Sequence, residues 1–253
     1  MIDLDGLKLL LPALLAGGLV LTTHVPFGQV VLARGIVFLD LAVAQIAALG
    51  LLLARSLGLP LDDWRSQLLV FATAVGAALF LSWRDRRNPG SQEAIIGTSF
   101  VVSASLAVLL LSNDPHAGEY MKEVLAGQIL WVEGRGLASL ALLYGLILLL
   151  WWRGIGRSGG ALFYALFALA ITASVQLVGV YLVFSSLIIP ALVTRPLNRW
   201  RSAWALGFGV LAYAAGLLLS LLFDLPAGAS VVVTMAALAI LLGYALRLKA
   251  VAG

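Results

Sequence analysis

Two polar side chains lie inside an apolar segment near the start of the chain, between Arg34 and Gly50. Asp40 is an acid and Gln45 is an amide, and their neighbours are almost all leucine, isoleucine, valine and alanine. An ionisable group inside a membrane is costly, so Asp40 is a candidate either for an ion pathway or for buried packing against a neighbouring helix or Arg34. Gln45 is likewise a candidate either for lining a pathway or for an interhelical hydrogen bond.

Asp40 and Gln45 are five residues apart, which corresponds to about 140° around an α-helix. That separation does not predict a two-residue clamp on one helical face. His24, in Thr-Thr-His-Val-Pro, is a third candidate. An imidazole at the end of an apolar segment is either a metal ligand or a hydrogen-bonded interfacial group, and the sequence leaves both open.

The composition places the chain in a membrane. It is 62% hydrophobic and only 11% charged, with a mean hydropathy of +1.06. Soluble domains carry about 25% charged residues, so this chain cannot cover a surface that faces water. A nucleic-acid binder is excluded because the few basic residues lie in short loops between apolar runs. The absence of cysteine excludes disulfides and thiolate metal sites.

The apolar runs predict an all-α polytopic membrane protein of eight or nine transmembrane helices, with residues 1–253 forming a single domain. The charge-free stretch Ala161–Thr194 would span about 51 Å as one helix, so we expect a break near Gln176–Gly179. The nine predicted spans are Leu7–Thr23, Gly35–Ala54, Gln67–Trp83, Glu93–Ser112, Leu137–Trp152, Ala161–Leu177, Gly179–Thr194, Ser202–Phe223 and Ala229–Leu246.

The positive charges predict the orientation of these spans. With nine crossings, 11 Lys and Arg residues fall on one side and 5 on the other. Because the side richer in positive charge is cytoplasmic, we expect the N-terminus outside and the C-terminus in the cytoplasm.

Three connecting segments carry further signals. On the inner side, Arg84–Gln92 is basic and is followed by Glu93, an acid suited to the first turn of a helix. On the outer side, Glu119–Val132 has apolar residues at helical spacing, which predicts a short amphipathic helix. Asp224-Leu-Pro226 is typical of a helix start, with Asp224 as the N-cap.

Several segments together resemble the permease subunits of zinc- and manganese-type ABC importers. They occur in the order and spacing of that family, over nearly the whole chain. The segments are Pro26-Phe-Gly-Gln-Val-Val-Leu-Ala-Arg34, Ala44-Gln-Ile-Ala-Ala-Leu-Gly50, Glu93-Ala-Ile-Ile-Gly97, Leu125-Ala-Gly-Gln-Ile-Leu-Trp-Val132, Leu177-Val-Gly-Val-Tyr-Leu-Val-Phe-Ser-Ser-Leu-Ile-Ile-Pro-Ala191 and Phe223-Asp-Leu-Pro-Ala-Gly-Ala-Ser-Val-Val232.

The resemblance implies the metal-ABC-importer permease fold in the cytoplasmic (inner) membrane and a homodimer that moves zinc or manganese by alternating access. It also implies a cytoplasmic ATPase subunit that uses ATP and an external metal-binding protein that delivers the ion. No cofactor is expected to bind tightly. Asp40, Gln45 and His24 are then the candidate transient metal contacts, and the expected ATPase contacts are Arg84, Arg86, Arg87 and Glu93.

The chain departs from the family at two places. Family members commonly carry an Asp and a His four residues apart in the second span, where this chain has Leu41 and Gln45. An amide is a poor ligand for zinc, so a high-affinity zinc site is not expected there. The segment Arg153–Gly160 is short and rich in glycine, whereas the family usually has a coupling helix there that docks on the ATPase.

The sequence contains no catalytic constellation, so we do not expect an enzyme. It lacks a Gly-x-x-x-x-Gly-Lys loop for phosphates and a His-Glu-x-x-His motif for zinc. Two alternatives to metal import stay open. Gln45 favours the same fold moving another small solute or a metal chelate, and the short Arg153–Gly160 segment favours a non-transporting homologue that has lost its coupling to an ATPase.

Overall fold

The computed structural model describes residues 4–60, 63–87, 89–112, 127, 129–132, 134–154, 160–197 and 199–252. Within these ranges the chain forms nine α-helices and no β-strand. They are α1 (Leu4–Arg34), α2 (Leu39–Ser56), α3 (Trp64–Arg87), α4 (Gln92–Leu111), α5 (Gly134–Trp152), α6 (Ala161–Val178), α7 (Val180–Val193), α8 (Arg201–Phe223) and α9 (Ala227–Ala252). Single 3₁₀ turns at Pro89–Ser91 and Ile129–Trp131 precede α4 and α5.

Each of the nine predicted spans coincides with one of these helices, which confirms the all-α architecture. Six helices are long and apolar enough to cross a membrane, namely α1, α2, α3, α4, α6 and α8. The apolar parts of α5, α7 and α9 are shorter. The outside of the bundle is itself apolar, since large side chains such as Val101, Leu109 and Leu142 are exposed. Hydrocarbon rather than water suits such a surface.

The predicted break in the charge-free stretch is confirmed at a single residue. Gly179 separates α6 from α7 and has a φ of 81°, a conformation that glycine adopts without steric cost. The N–H of Gly179 still donates to the carbonyl of Val175 at 3.0 Å, and its own carbonyl accepts from Val183 at 3.1 Å. The helix is therefore interrupted here without leaving these backbone groups unpaired.

The first helix is longer than predicted. We expected it to end at Thr23, before Pro26, but α1 continues through Pro26 to Arg34. Thr22 and Thr23 donate hydroxyl hydrogen bonds to the carbonyls of Leu19 and Val20 in the turn before the proline. Pro26 lacks the N–H that would donate to the carbonyl of Thr22, four residues earlier, yet the helix continues, as membrane helices can around proline.

The helices pack as one bundle around α1, which contacts α5, α6, α7 and α8. On one flank α2 packs on α3 and α4, and α3 packs on α6; on the other, α9 packs on α8 and α7. An aromatic cluster joins α1, α5 and α6, where the Phe27 ring lies 5.1 Å from Trp151 and 5.8 Å from Phe163 between centroids, both edge-on. Such pairs add to the burial of their apolar area.

Two expectations for connecting segments have different outcomes. The prediction of Asp224 as an N-cap is wrong, because Asp224 follows the last residue of α8 in a left-handed conformation (φ 51°) and α9 begins only at Ala227. Asp is one of the few residue types that adopt this conformation readily. Most of the predicted amphipathic helix Glu119–Val132 lies outside the residues that the structure describes; its end forms the 3₁₀ turn at Ile129–Trp131.

Candidate functional site

A cavity of about 540 Å³ opens on the side of the bundle between α2, α4, α7 and α9. Its polar lining consists of the Gln45 amide, the Ser185 hydroxyl and the Tyr181 phenol, and Ser185 donates to the carbonyl of Tyr181 at 2.8 Å. The complete lining is Leu41, Gln45, Phe100, Val180, Tyr181, Phe184, Ser185, Ala229, Val232 and Val233.

Leu41 and Gln45 both line this cavity, whereas Asp40 does not. Residues four apart share one face of a helix, so α2 directs Leu41 and Gln45 to the cavity and Asp40 elsewhere. The two positions at which the resemblance expects Asp and His therefore do face a common space. In this chain they supply one apolar side chain and one amide, and Gln45 is 5% exposed.

Asp40 lies in the first turn of α2 and is 1% exposed. Backbone N–H groups of Asp40 and Leu41 interact with its carboxyl group. Its Oδ1 atom is buried and has no hydrogen-bond partner among the residues that the structure describes. Arg34, the charged partner considered for Asp40 from the sequence, forms a salt bridge with Asp85.

Glu93 lies in the first turn of α4, as predicted, and its side chain reaches the start of α2. Its Oε1 atom accepts a hydrogen bond from the backbone N–H of Phe38 at 3.2 Å. Its Oε2 atom is buried and lacks a partner in the described part of the chain. The two acids Asp40 and Glu93 thus meet at the same helix end, close enough for their charges to interact.

His24 lies in the interior of the bundle and is 0% exposed. Its Nδ1 atom is 2.9 Å from the carbonyl oxygen of Val20 and 3.1 Å from the hydroxyl of Thr23. Its ring is 6.4 Å from that of Tyr144 between centroids, and it does not line the cavity beside Gln45. Its Nε2 atom is buried and has no hydrogen-bond partner among the described residues.

A polar cluster joins four helices at the end of the bundle where Arg34 lies. The Arg34 guanidinium pairs with the Asp85 carboxylate, and their side chains are 29% and 15% exposed. The hydroxyl of Tyr164 donates to Asp85 Oδ2 at 3.1 Å, and Gln92 Nε2 donates to that hydroxyl at 3.3 Å and to the carbonyl of Leu81 at 3.0 Å. We call Arg34, Asp85, Gln92 and Tyr164 the inner-end cluster.

Sequence reasoning missed the inner-end cluster as a unit. In the sequence, Asp85 belongs to a basic connecting segment and Tyr164 belongs to an apolar run. The one available signal was an acid flanked by arginines at the end of a predicted helix. It could not reveal the partner, because Arg34 and Asp85 are 51 residues apart.

Arg84, Arg86 and Arg87 occupy the last turn of α3, on both sides of Asp85. Arg86 and Arg87 are exposed, and the guanidinium carbon of Arg87 lies 4.5 Å from the centre of the Trp83 ring. This distance is that of a cation–π contact. The three arginines form a positively charged end of α3, whereas Glu93, expected on the same surface, is engaged with Phe38.

In the described part of the chain, no three His, Asp or Glu side chains come together in a way that could hold a metal ion. A second cavity of about 580 Å³ lies between α3, α5 and α6 and includes Gln67 and Gln176, but none of the candidate residues. A closed tetrahedral zinc site of three or four protein ligands is therefore not present among these residues.

Comparison with known proteins gives three consistent findings. The model of the ABC 3 transport family matches residues 6–154 and 159–246. The manganese transport system membrane protein MntC of Halalkalibacterium halodurans is 25% identical over 235 residues, covering 83% of this chain and 78% of that protein. The structure of PsaBC from Streptococcus pneumoniae in complex with Fab superposes with a TM-score of 0.73 at 21% identity, covering 94% of this chain and 93% of that one.

Proposed function

Because the chain belongs to the ABC 3 transport family, we propose that it is the permease subunit of an ABC importer for a divalent metal ion, manganese or zinc. The observation that carries the proposal is the family match over nearly the whole chain together with the cavity at Gln45. The similarity to a manganese transport protein supports a metal cargo.

The path of the ion in this proposal runs past α2. Gln45 lines the cavity, and Asp40, which does not line it, directly precedes the lining residue Leu41 in α2. A transport path must release its ion, so weak contacts serve better than a tight site. His24 is not part of this path, because its ring packs near Tyr144 and it does not line the cavity.

The proposed assembly is a homodimer with two ATPase subunits and an external binding protein. A second copy of the chain would cover the cavity face, where exposed Tyr181 and Val233 now leave Gln45 beside an open space. The positive end of α3, with Arg84, Arg86 and Arg87, is the proposed docking surface for the ATPase. The excess of positive charge supports a cytoplasmic location for this end and for the C-terminus.

The experiment that tests the proposal is metal uptake by cells that express the chain with its ATPase partner. We expect ATP-dependent accumulation of manganese or zinc that falls strongly in Asp40→Ala and Gln45→Ala at equal membrane abundance. Gln176→Ala is the matched control, because it removes an exposed amide from the other cavity. A partner ATPase that cannot hydrolyse ATP should abolish uptake.

Failure has a clear form. If no divalent ion accumulates and no ATPase co-purifies with the chain, the importer proposal is wrong and an uncoupled homologue is the better interpretation.

One observation favours a second candidate, a permease of the same fold for another small solute: the cavity presents Leu41 and Gln45 rather than an acid and an imidazole. Uptake of a non-metal solute that depends on Gln45, with no metal uptake, would support this candidate.

A further inference from the structure

Two carboxylates from different helices converge on the first turn of α2. Asp40 belongs to that turn, and Glu93 reaches it from the first turn of α4 and accepts the Phe38 N–H at 3.2 Å. Asp40 interacts electrostatically with Glu93, although the two residues are 53 positions apart in the sequence. Their proximity therefore follows from the packing of α2 on α4.

The carboxyl groups of Asp40 and Glu93 have the same pattern of hydrogen bonding, with only part of their acceptor oxygens paired. Each interacts with backbone N–H groups at the start of α2, which carry partial positive charge. Each also keeps one buried oxygen, Asp40 Oδ1 and Glu93 Oε2, without a hydrogen-bond partner among the described residues. A buried acceptor oxygen left without a partner is costly, and a positive species bound by both acids would remove this cost at each of them.

No hydrogen bond from the described residues reaches Asp40 Oδ1. The Arg34 guanidinium forms its salt bridge with Asp85 and lies 5.6 Å from the centre of the Tyr164 ring, on the α3–α6 side of the cluster. The first turn of α2 therefore brings together two acids, each with one buried oxygen that has no hydrogen-bond partner in the described part of the chain.

We propose that Asp40 and Glu93 together form a binding site for a divalent cation such as Mn²⁺, at the inner end of the path that begins at Gln45. The cargo and direction in this statement rest on the proposed function. Leu41, which lines the cavity, directly follows Asp40 in α2, and Glu93 accepts a hydrogen bond from Phe38 two positions before Asp40, so the two acids lie at the end of α2 next to that cavity. They would receive the ion after the amide and before release.

The ligand chemistry specifies the class of ion. Carboxylate oxygens, water and backbone carbonyls suit Mg²⁺, Ca²⁺ and Mn²⁺, whereas zinc prefers imidazole and thiolate. The chain has no cysteine, and His24 is packed against Val20, Thr23 and Tyr144 instead. Two protein carboxylates complete only part of a coordination sphere, so the remaining positions would hold water. Such a site binds weakly enough to release its ion.

The test is Mn²⁺ binding to the purified complex of the full chain with its ATPase, free of nucleotide, in lipid nanodiscs. Free Mn²⁺ gives a sharp electron paramagnetic resonance spectrum that is lost on binding, so a titration with Mn²⁺ alone gives the affinity. The variants are Asp40→Asn and Glu93→Gln, which keep the shape of each side chain and an oxygen acceptor for the backbone N–H groups. Asp63→Asn, an acid before α3 at the other end of the bundle, is the control.

We expect Asp40→Asn and Glu93→Gln each to weaken Mn²⁺ binding by at least about tenfold, since even indirect partners of a metal ligand contribute about 10–100-fold. Asp63→Asn should bind as the intact chain does. Unchanged binding in both carboxamide variants would overturn the proposal and indicate a proton shared by the two acids. An intact complex that binds no Mn²⁺ would overturn it as well.

The site and the proposed function can fail separately. If uptake of metal fails while Asp40 and Glu93 still determine Mn²⁺ binding, the importer proposal is wrong and the site stands. If cells accumulate manganese while Asp40→Asn and Glu93→Gln bind Mn²⁺ as the intact protein does, the importer stands and the site is wrong.

Discussion

Gly127 packs directly on the backbone of Val178, at the break between α6 and α7. A Cβ atom at position 127 would lie 2.2 Å from both the carbonyl carbon and the carbonyl oxygen of Val178, and 2.4 Å from the nitrogen of Gly179. Gly127, which precedes α5, therefore packs against the break between α6 and α7. Gly127 itself has a φ of +66°, which side chains other than glycine rarely adopt.

We expect Gly127→Ala to destabilise the protein and to reduce transport. The left-handed conformation alone costs alanine about 1–2 kcal/mol, and the clash is with backbone atoms that cannot rotate away. Thermal unfolding in detergent and metal uptake would measure both effects. Gly145→Ala is the matched control, because a Cβ there meets nothing within 4 Å on α5. Equal stability of the two variants would show that the contact at Val178 is dispensable.

The inner-end cluster should contribute to stability through coupled contacts. Asp85→Asn or Arg34→Met should each cost about 1–3 kcal/mol, because each leaves a partly buried charge or its hydrogen-bond partners unpaired. The double variant should cost less than the sum of the two. Chemical denaturation of the three variants would give the coupling energy. Strict additivity would contradict a direct interaction between Arg34 and Asp85.

His24 should prove to be a packing residue rather than a metal contact. His24→Ala should lower stability by about 1–3 kcal/mol, as substitutions in a packed interior do, because it removes a fully buried ring that contacts Tyr144. The protein that remains folded should take up metal with an unchanged apparent KM. A KM raised tenfold or more at equal membrane abundance would instead place His24 on the ion path.

Introducing an acid and an imidazole at the two positions of α2 that line the cavity should increase metal affinity. Leu41→Asp with Gln45→His puts two ligands four residues apart on the cavity face of α2. We expect zinc or manganese binding to tighten by at least about tenfold, together with slower release. Calorimetric titration of the double variant would measure it, with Leu41→Asp alone as the control. No gain over that control would mean that the two positions do not point to a common site.

The two ends of α3 allow a test of the ATPase surface. Arg86→Glu with Arg87→Glu should reduce co-purification of the ATPase, because it reverses charge at the proposed docking end. Arg65→Glu reverses charge at the other end of the same helix and should leave co-purification unchanged. If Arg65→Glu has the larger effect, the proposed orientation of the chain is wrong.

The helical framework was predictable because each helix depends mainly on a local property, a run of apolar residues long enough to cross hydrocarbon. The break at Gly179 was predictable for the same reason, since one uninterrupted helix from Ala161 to Thr194 would have been too long. The end of α1 was not, because Pro26 is accommodated within the helix rather than ending it.

The candidate site was predictable only as a set of residues. The five-residue spacing of Asp40 and Gln45 indicated that they face different directions, and the structure places only Gln45 on the cavity. That Glu93 reaches Asp40, and Arg34 reaches Asp85, depends on which helices become neighbours. A sequence without an aligned family carries no signal of such long-range pairs.

The joint at Gly179 has a mechanical consequence for the transport cycle. α6 carries Tyr164 in the inner-end cluster, α7 carries Tyr181 and Ser185 on the cavity wall, and only one residue connects the two helices. A linker of one residue has two backbone torsions and no slack, so a tilt of one helix must displace the other unless those torsions change. The two torsions of Gly179 thus determine whether a movement of the inner-end cluster is transmitted rigidly to the cavity wall or absorbed at the joint.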